Sequence, residues 1–452
     1  MKDLKDILPG RVSTEAEELF CYGFDASKEE GLPSAVVRPL NTEEVSKAAR
    51  YAFENNISIV PRGAGSGMTG GSVPLNDSMV ISLEGMNRII DIDERNMVVT
   101  LEPGVINKHL QDKLEPLGLF YPPDPTSMNF CTIGGNVAEN AGGPRAVKYG
   151  VTRDYVLGLE VVLSDGKVIT TGVKTHKGVV GYDLSWLIVG SEGTLCTVTK
   201  IFLKVLPLPE EVITMLCSFS SLEKASEAVP MIVSSGTIPR TLEFMDSGAI
   251  QAVESYRPVG LPGNSEALLL IEVDGSSDLV RKDADKIASI CANMGADVSI
   301  ADGAYARERL WESRKALSPA LYHLKPDKIN EDIVVPRTKI PQIIRSIKLI
   351  EEKYNLMIVN FGHAGDGNIH VNIMTDRDNK EEYQMAQRAV KDIFEETLKL
   401  GGTISGEHGV GITKSKYLRM ELSDASIGLM RSIKDVFDPR GIMNPGKIFP
   451  SA

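Results

Sequence analysis

A glycine cluster sets the first limit on the fold. The run Ile57-Ser58-Ile59-Val60-Pro61 reads as a strand and delivers the chain into Arg62-Gly63-Ala64-Gly65-Ser66-Gly67-Met68-Thr69-Gly70-Gly71-Ser72. Successive small residues let backbone N–H groups approach an anion closely, so the loop reads as a phosphate cradle. Gly65 to Gly70 matches the spacing G-x-G-x-x-G, which in the doubly wound dinucleotide fold must open a helix. Here Val73-Pro74-Leu75-Asn76-Asp77 follows instead, a proline-containing turn. The context that the spacing demands is missing, and the loop is read as a cradle belonging to another fold.

The surrounding chain is punctuated in the same way. Ala35-Val36-Val37-Arg38-Pro39 reads as a strand, and a helix follows to about Asn55, with Thr42 as N-cap and Val45, Ala48, Ala49 and Ala52 as its apolar stripe. Strands are expected at 79–83, 89–92 and 97–102 and a helix at 106–114. Prolines 122, 123 and 125 then remove donors and stiffen the chain into a fixed wall. A second set of glycines, Gly134-Gly135-Asn136 and Asn140-Ala141-Gly142-Gly143, precedes strand-like runs at 156–163, 168–170, 187–189 and 198–205. Nothing after the second glycine set offers a helix, so this half is expected to be strand-rich with few crossovers. Its glycine loops are expected to converge on one extended ligand.

Composition shifts at Leu206-Pro207-Leu208-Pro209, and beyond it helical and strand patterns alternate. Into this second region falls Asn360-Phe361-Gly362-His363-Ala364-Gly365-Asp366-Gly367-Asn368-Ile369-His370-Val371-Asn372-Ile373, with two of the six histidines of the chain. Residues alternate after Gly367, so Asn368, His370 and Asn372 share one side of a strand and Ile369, Val371 and Ile373 the other. His363 reaches the same place from the glycine-rich turn. Thirty-five residues past His370 stands Glu407, in Ser405-Gly406-Glu407-His408-Gly409. Imidazoles plus a carboxylate suit a borderline divalent ion such as zinc, and three protein ligands with an open position is the catalytic arrangement. His363, His370 and Glu407 are the candidate ligands, which leaves His408 free to abstract a proton from a bound hydroxyl.

Other classes are excluded by charge and composition. At 452 residues, 42% apolar and 24% charged, the chain has the make-up of a globular protein of two or three domains. A net charge of −12 disfavours nucleic acid and anionic membrane surfaces as partners. No apolar run reaches the length of an integral membrane segment, and Met1-Lys2-Asp3-Leu4-Lys5-Asp6 lacks the apolar core of a signal peptide, so a cytoplasmic location is expected. Five scattered cysteines without a Cys-x-x-Cys pair indicate neither a disulfide scaffold nor an iron-sulfur cluster.

Taken together, these motifs resemble a known family. The loop at 61–72, the Pro-Pro-Asp-Pro wall, the Gly134-Gly135-Asn136 and Ala141-Gly142-Gly143 loops and Gly190-Ser191-Glu192-Gly193-Thr194-Leu195 resemble the vanillyl-alcohol-oxidase type of FAD-binding domain. Gly-His-Ala-Gly-Asp-Gly-Asn-Ile-His, Gly-Glu-His-Gly and Asn-Pro-Gly-Lys resemble the C-terminal domain of FAD-linked 2-hydroxyacid dehydrogenases, among them the FAD subunit of glycolate oxidase, D-lactate dehydrogenase and D-2-hydroxyglutarate dehydrogenase. The likeness implies an α+β chain: an FAD-binding domain at 1–206 with an N-terminal helical segment, a cap domain at 207–425 with a mainly antiparallel sheet and the metal site, and a segment 426–452 returning to the FAD domain.

Residue by residue, the resemblance implies FAD contacts at Pro61, Arg62, Gly63, Ala64, Gly65, Ser66, Gly67, Met68, Pro125, Thr132, Gly135, Asn136, Gly142, Gly143, Glu192, Gly193, Val198 and Asn444. It implies a divalent metal (zinc, iron or manganese) on His363, His370 and Glu407, His408 as the base, Arg314 as the clamp on the substrate carboxylate, and Asn372 as a substrate contact. Two departures stand out: Cys196 follows Gly-Thr-Leu where glycine is frequent, and Asn330 occupies the place of a lysine in the hydroxyglutarate enzymes, with Lys328 offset from it. The expected activity is oxidation of a small D-2-hydroxy acid, D-lactate or glycolate, to the 2-keto acid. Electrons would pass to an electron-transfer flavoprotein, an iron-sulfur subunit or a quinone, with any membrane association through a partner. D-2-hydroxyglutarate dehydrogenase and a noncatalytic FAD electron-transfer subunit remain the alternatives at this point.

Overall fold

In the computed structural model, which describes residues 2–75 and 77–450, the chain gathers into two compact units. One comprises Met1–Gly142, Gly150–Leu208 and Glu407–Ala452, the other Gly143–Tyr149 and Pro209–Gly406. Helices and mainly antiparallel sheets make it an α+β protein.

The first unit is built on two sheets. In one, Ala35–Val37 and Ile59–Arg62 flank Met79–Ser82 in parallel, with Val12–Ser13 antiparallel on the outer edge. The three parallel strands carry Ala35, Val36, Val37, Ile59, Val60, Met79, Val80 and Ile81 with no exposure, as strands covered on both faces must. Helix Thr42–Asn55 packs its buried stripe of Val45, Ala48, Ala49 and Ala52 into this core. Its cap is Asn41, not Thr42: the Asn41 side chain accepts a hydrogen bond from the Glu44 amide at 3.0 Å. The second sheet is antiparallel throughout, in the order Ile89–Asp93, Val98–Leu101, Thr197–Lys204, Val156–Val162, Val168–Gly172.

The expectation that nothing after the second glycine set is helical fails at Ala146–Tyr149 and Leu184–Ile188, and the set itself, read as loops, is partly helical. Residues Ile133–Glu139 form a helix, with the Thr132 hydroxyl accepting from the Gly135 amide and Asn140 closing the other end in the left-handed region. Leu184–Ile188, partly read as strand, is a short helix capped by Asp183. In both, a side-chain cap and a tight turn outweigh the glycine content or the apolar run that suggested otherwise.

The tail is part of the first unit. Ile59 donates to the Ile442 carbonyl and Asn444 donates back to the Ile59 carbonyl, each at 2.7 Å, so residues 442–444 run alongside the strand that feeds the glycine loop. Met443 is fully buried there.

The second unit holds a seven-stranded sheet in the order Asp297–Ile300, Glu211–Phe219, Ala267–Gly275, Thr241–Asp246, Met357–Gly362, Asn368–Thr375, Asp327–Val334. Every adjacent pair is antiparallel. Helices Ser247–Tyr256, Gly303–Leu321, Ile340–Tyr354 and Lys380–Lys399 carry buried apolar faces in this unit. Strand Asn368–Thr375 lies between two partners and is buried at every residue, so its polar row of Asn368, His370 and Asn372 is enclosed in protein. No helix among the described residues is long and apolar enough to cross a membrane.

Candidate active site

In the first unit the glycine loop leaves strand Ile59–Arg62 at the buried Arg62, and residues 63–75 contain no helix, in keeping with the failed dinucleotide context. The loops expected to converge do so within this unit. A Cβ on Gly63 would strike the Thr132 hydroxyl, one on Gly193 would meet the Pro61 ring at 3.3 Å, and one on Gly134 would meet Pro103 at 2.5 Å. Glycine at these positions permits backbone contact that any side chain would block. An open cavity of about 720 Å³ adjoins the loop, lined by Ala64, Gly104, Val105, Ile106, His109 and Thr132, a size that suits a cofactor or drug-sized ligand. Pro125 lies in the stiff segment that helix Asn107–Leu114 holds through the Asn107 amide on the Pro123 carbonyl.

Glu192 stands in the left-handed region with φ of 52° and accepts from the amides of Val410 and Gly411 at 2.8 and 2.7 Å. Asn444, also left-handed, donates to the carbonyls of Gly71 and Glu192 at 2.8 and 2.7 Å. One side chain from the tail thus ties two of the expected binding loops together. Asn136 in the first helical turn has its amide nitrogen buried without a hydrogen-bond partner among the described residues. A spare donor among close-approach glycines is what an extended phosphate-bearing cofactor would use. Val198 is buried in its strand, and Gly142 sits against Glu407, whose Oε2 lies 2.9 Å from where a Cβ on Gly142 would stand. The thiol at the unexpected position, Cys196, is buried, and that burial pushes its pKa up to about 12. Gly143 belongs to the second unit.

The second unit brings together His363, His370 and Arg314. The two histidine rings face each other with Nε2 atoms 3.5 Å apart and planes nearly perpendicular. Both are buried. Each also has a carboxylate behind it: Glu243 Oε1 is 2.7 Å from His363 Nδ1, and Asp332 Oδ1 is 3.6 Å from His370 Nδ1. The Glu243 carboxylate on Nδ1 fixes the His363 tautomer and turns its Nε2 outward as a lone-pair donor, the support found behind metal-binding histidines. Two imidazole nitrogens at this separation share no good hydrogen bond, whereas an ion between them would satisfy both. The residues present therefore fit a divalent metal.

Glu243 has no exposure and holds a second group as well: Arg314 Nε donates to its Oε2 at 2.5 Å. Burial alone would raise the Glu243 pKa, but the neighbouring His363 ring and the Arg314 guanidinium outweigh it and hold the carboxyl below the usual range. Arg314 Nη2 is enclosed and has no hydrogen-bond partner among the described residues, and its guanidinium lies 5.0 Å from the Phe361 ring centre. Asn372 is fully buried, accepts from Asn330 Nδ2 at 2.7 Å and donates to the Val359 and His370 carbonyls. Lys328 points to the Ser318 hydroxyl at 2.8 Å.

The chain passes from this unit into Glu407-His408 through Gly406, whose amide is held by Asp332, the carboxylate behind His370. Glu407 and His408 count with the first unit, where the Thr69 hydroxyl donates to the His408 carbonyl at 3.1 Å. Both side chains keep some exposure, at 17% and 15%, so they are not locked into a core.

Two supports escaped the sequence reading. Glu243 is a single acid between apolar strand residues, Leu242-Glu243-Phe244, and Asp332 follows Glu331 at the start of the apolar run Ile333-Val334-Val335. A carboxylate inside a buried strand was the signal available, because burying a charge needs a partner.

Comparison with known proteins finds two family domains. Residues 33–172 match the FAD binding domain, and residues 208–448 match the C-terminal domain of FAD linked oxidases. Glycolate oxidase subunit GlcD of Bacillus subtilis is 46% identical over 95% of this chain and 92% of its own. D-lactate dehydrogenase of Anaerostipes hadrus is 37% identical over 99% and 96%. Substrate-bound p-cresol methylhydroxylase shares the fold, with a TM-score of 0.81 at 19% identity over 99% of this chain and 95% of that one. On these matches the chain belongs to the FAD-linked oxidase family, and it carries an FAD-binding domain of vanillyl-alcohol-oxidase type.

Proposed function

We propose that the protein oxidises a small D-2-hydroxy acid, D-lactate or glycolate, to the 2-keto acid, with the assistance of a divalent metal. The observation that carries this reading is the triangle of Glu243, His363 and Arg314 beside His370: one buried acid holds both a histidine suited to a metal and a cation suited to a carboxylate. The relatives named glycolate oxidase subunit and D-lactate dehydrogenase support the substrate class.

His363, His370 and Glu407 hold the ion. Arg314 binds the substrate carboxylate with the Nη2 donor it has to spare, while its Nε stays on Glu243. Asn372 with its amide partner Asn330 forms the polar wall beside His370. His408 takes the hydroxyl proton, a role that suits an imidazole in a partly accessible segment. Bound FAD supplies the hydride acceptor and the metal lowers the pKa of the hydroxyl. Pro61 to Met68, Pro125, Thr132, Gly135, Asn136, Gly142, Gly143, Glu192, Gly193, Val198 and Asn444 bind the FAD. The word subunit in the name of the first relative supports an assembly in which electrons leave for a partner, an electron-transfer flavoprotein or an iron-sulfur protein, or for a quinone. The protein works in the cytoplasm and meets a membrane only through such a partner.

The test is the visible spectrum of the FAD-loaded protein, recorded anaerobically while D-lactate, glycolate and D-2-hydroxyglutarate are added in turn. Bleaching by D-lactate or glycolate, abolished by a chelator and restored by zinc or manganese, is the expected result. Bleaching by none of the acids refutes the reading, and bleaching by hydroxyglutarate alone replaces the small substrate with a dicarboxylate. His408→Ala should keep the FAD yet lose turnover by about 100-fold or more, the scale of a lost general base.

A further inference from the structure

One buried acid has no part in this chemistry. Glu139 is the last residue of helix Ile133–Glu139, and its carboxyl lies against glycine backbone. Oε1 is 2.9 Å from where a Cβ on Gly71 would stand and 3.9 Å from the corresponding point on Gly67. Oε2 crowds the corresponding point on Gly409, which Glu192 Oε1 approaches from 3.0 Å. Two carboxyls therefore flank one glycine, and a side chain at 409 would collide with both. Oε2 is enclosed and without a hydrogen-bond partner among the described residues, while the residue as a whole is only half-buried. Part of Glu139 thus borders open space within a ring of FAD-binding loops.

The two acids are not equivalent. Burial raises the Glu192 pKa, but two backbone N–H groups and the nearby Lys414 and Lys447 oppose that rise, so of the two acids it is the better equipped to carry a charge. Glu139 Oε2 receives no hydrogen bond among the described residues, and the carboxyl faces Glu192 and Asp25, both acidic. Burial first, and then those two charges, push its pKa well above the usual carboxylate range. An acid kept neutral in this way is a hydrogen-bond donor. Backbone N–H groups at Gly63 to Gly67 suit the phosphates. Gly71 and Gly409 mark the other end of the cradle, next to His408.

We propose that Glu139 is a positioning residue of the flavin pocket, whose carboxyl O–H hydrogen-bonds the ring system of bound FAD and raises its reduction potential. A donor at the ring stabilises the charge that reduction brings, whereas a carboxylate there would oppose it. The assignment to the ring end rests on His408 acting as the base; the measurement itself needs bound FAD but no turnover, so it fails or succeeds independently of that role.

The test is potentiometric titration of the FAD-loaded protein across pH for the wild type, Glu139→Gln and Glu139→Ala. Glu139→Gln, which keeps an N–H donor, should hold a midpoint close to wild type but lose the break in potential against pH that titration of Glu139 gives. Glu139→Ala should shift the midpoint to more negative values. The glutamine variant decides the matter even if the alanine variant does not fold. Identical pH profiles for wild type and Glu139→Gln would overturn the proposal and leave Glu139 as packing alone.

Discussion

Glu243 is the residue whose removal the structure makes most informative. It is fully buried, ionised, and shared between Arg314 Nε and His363 Nδ1 at 2.5 and 2.7 Å. Glu243→Ala leaves the Arg314 guanidinium, itself 6% exposed, as an uncompensated buried charge. Breaking a buried pair in this way costs about 3–5 kcal/mol. Glu243→Gln has one acceptor oxygen for two donors and no charge, so one donor goes unsatisfied, at about 1.5–3 kcal/mol. In a unit of about 200 residues, each kcal/mol moves the midpoint by about 2–4 °C, so the alanine variant should melt about 6–20 °C lower. Metal affinity should fall by about 10–100-fold in both variants, because His363 loses the group that fixes its tautomer. Thermal unfolding followed by circular dichroism reads the first effect, and competition for zinc against a chelating dye reads the second. A Glu243→Gln protein that melts with wild type and binds zinc as tightly would falsify the claim that this carboxylate organises the site.

Two further expectations follow from other residues. Asp246, buried under hydrogen bonds from Ala249 N, Asn360 N and Asn360 Nδ2, has its pKa pushed up to about 6 by burial, with Glu351 adding to the rise. Its folded pKa is above the unfolded value, so the folded state binds the proton more tightly and the stability it confers is lost as pH rises from about 4 through 6. The stability advantage of wild type over Asp246→Asn should shrink by about 2 kcal/mol between about pH 4 and pH 7 in urea unfolding; a constant difference would contradict the assignment. Gly411, at φ of 49°, would drive a Cβ into the Thr69 carbonyl that Ile412 N binds at 2.7 Å. Gly411→Ala should therefore lose FAD on gel filtration, whereas Gly428→Ala, facing open space inside helix Asp424–Phe437, should keep it and gain about 0.5–1 kcal/mol. Equal FAD retention in the two variants would show that the approach of 411 to 69 does not matter.

Much of this was legible in the residue order, and the reasons are local. The glycine loop announces itself because close backbone approach requires missing side chains, and the turn at Val73-Pro74 already argued against the dinucleotide fold. Period-two alternation after Gly367 put His370 and Asn372 on one side of a strand, which the structure contains at Asn368–Thr375. Where short motifs compete with local capping, the order misled. Ile133–Glu139 looked like loop because of its glycines, yet a threonine hydroxyl on the Gly135 amide is enough to start a helix.

The sequence by itself determined the elements, the glycine-lined loops and the kind of chemistry their side chains can perform, since all of these depend on residues within a few positions of one another. Only the tertiary structure decided who supports whom. Glu243 lies 120 residues from His363 and 71 from Arg314, and Glu139 and Glu192 meet across Gly409. Such pairings are invisible to periodicity because they are fixed by the packing of strands and loops, and a buried acid takes its role from whichever distant charges that packing sets beside it.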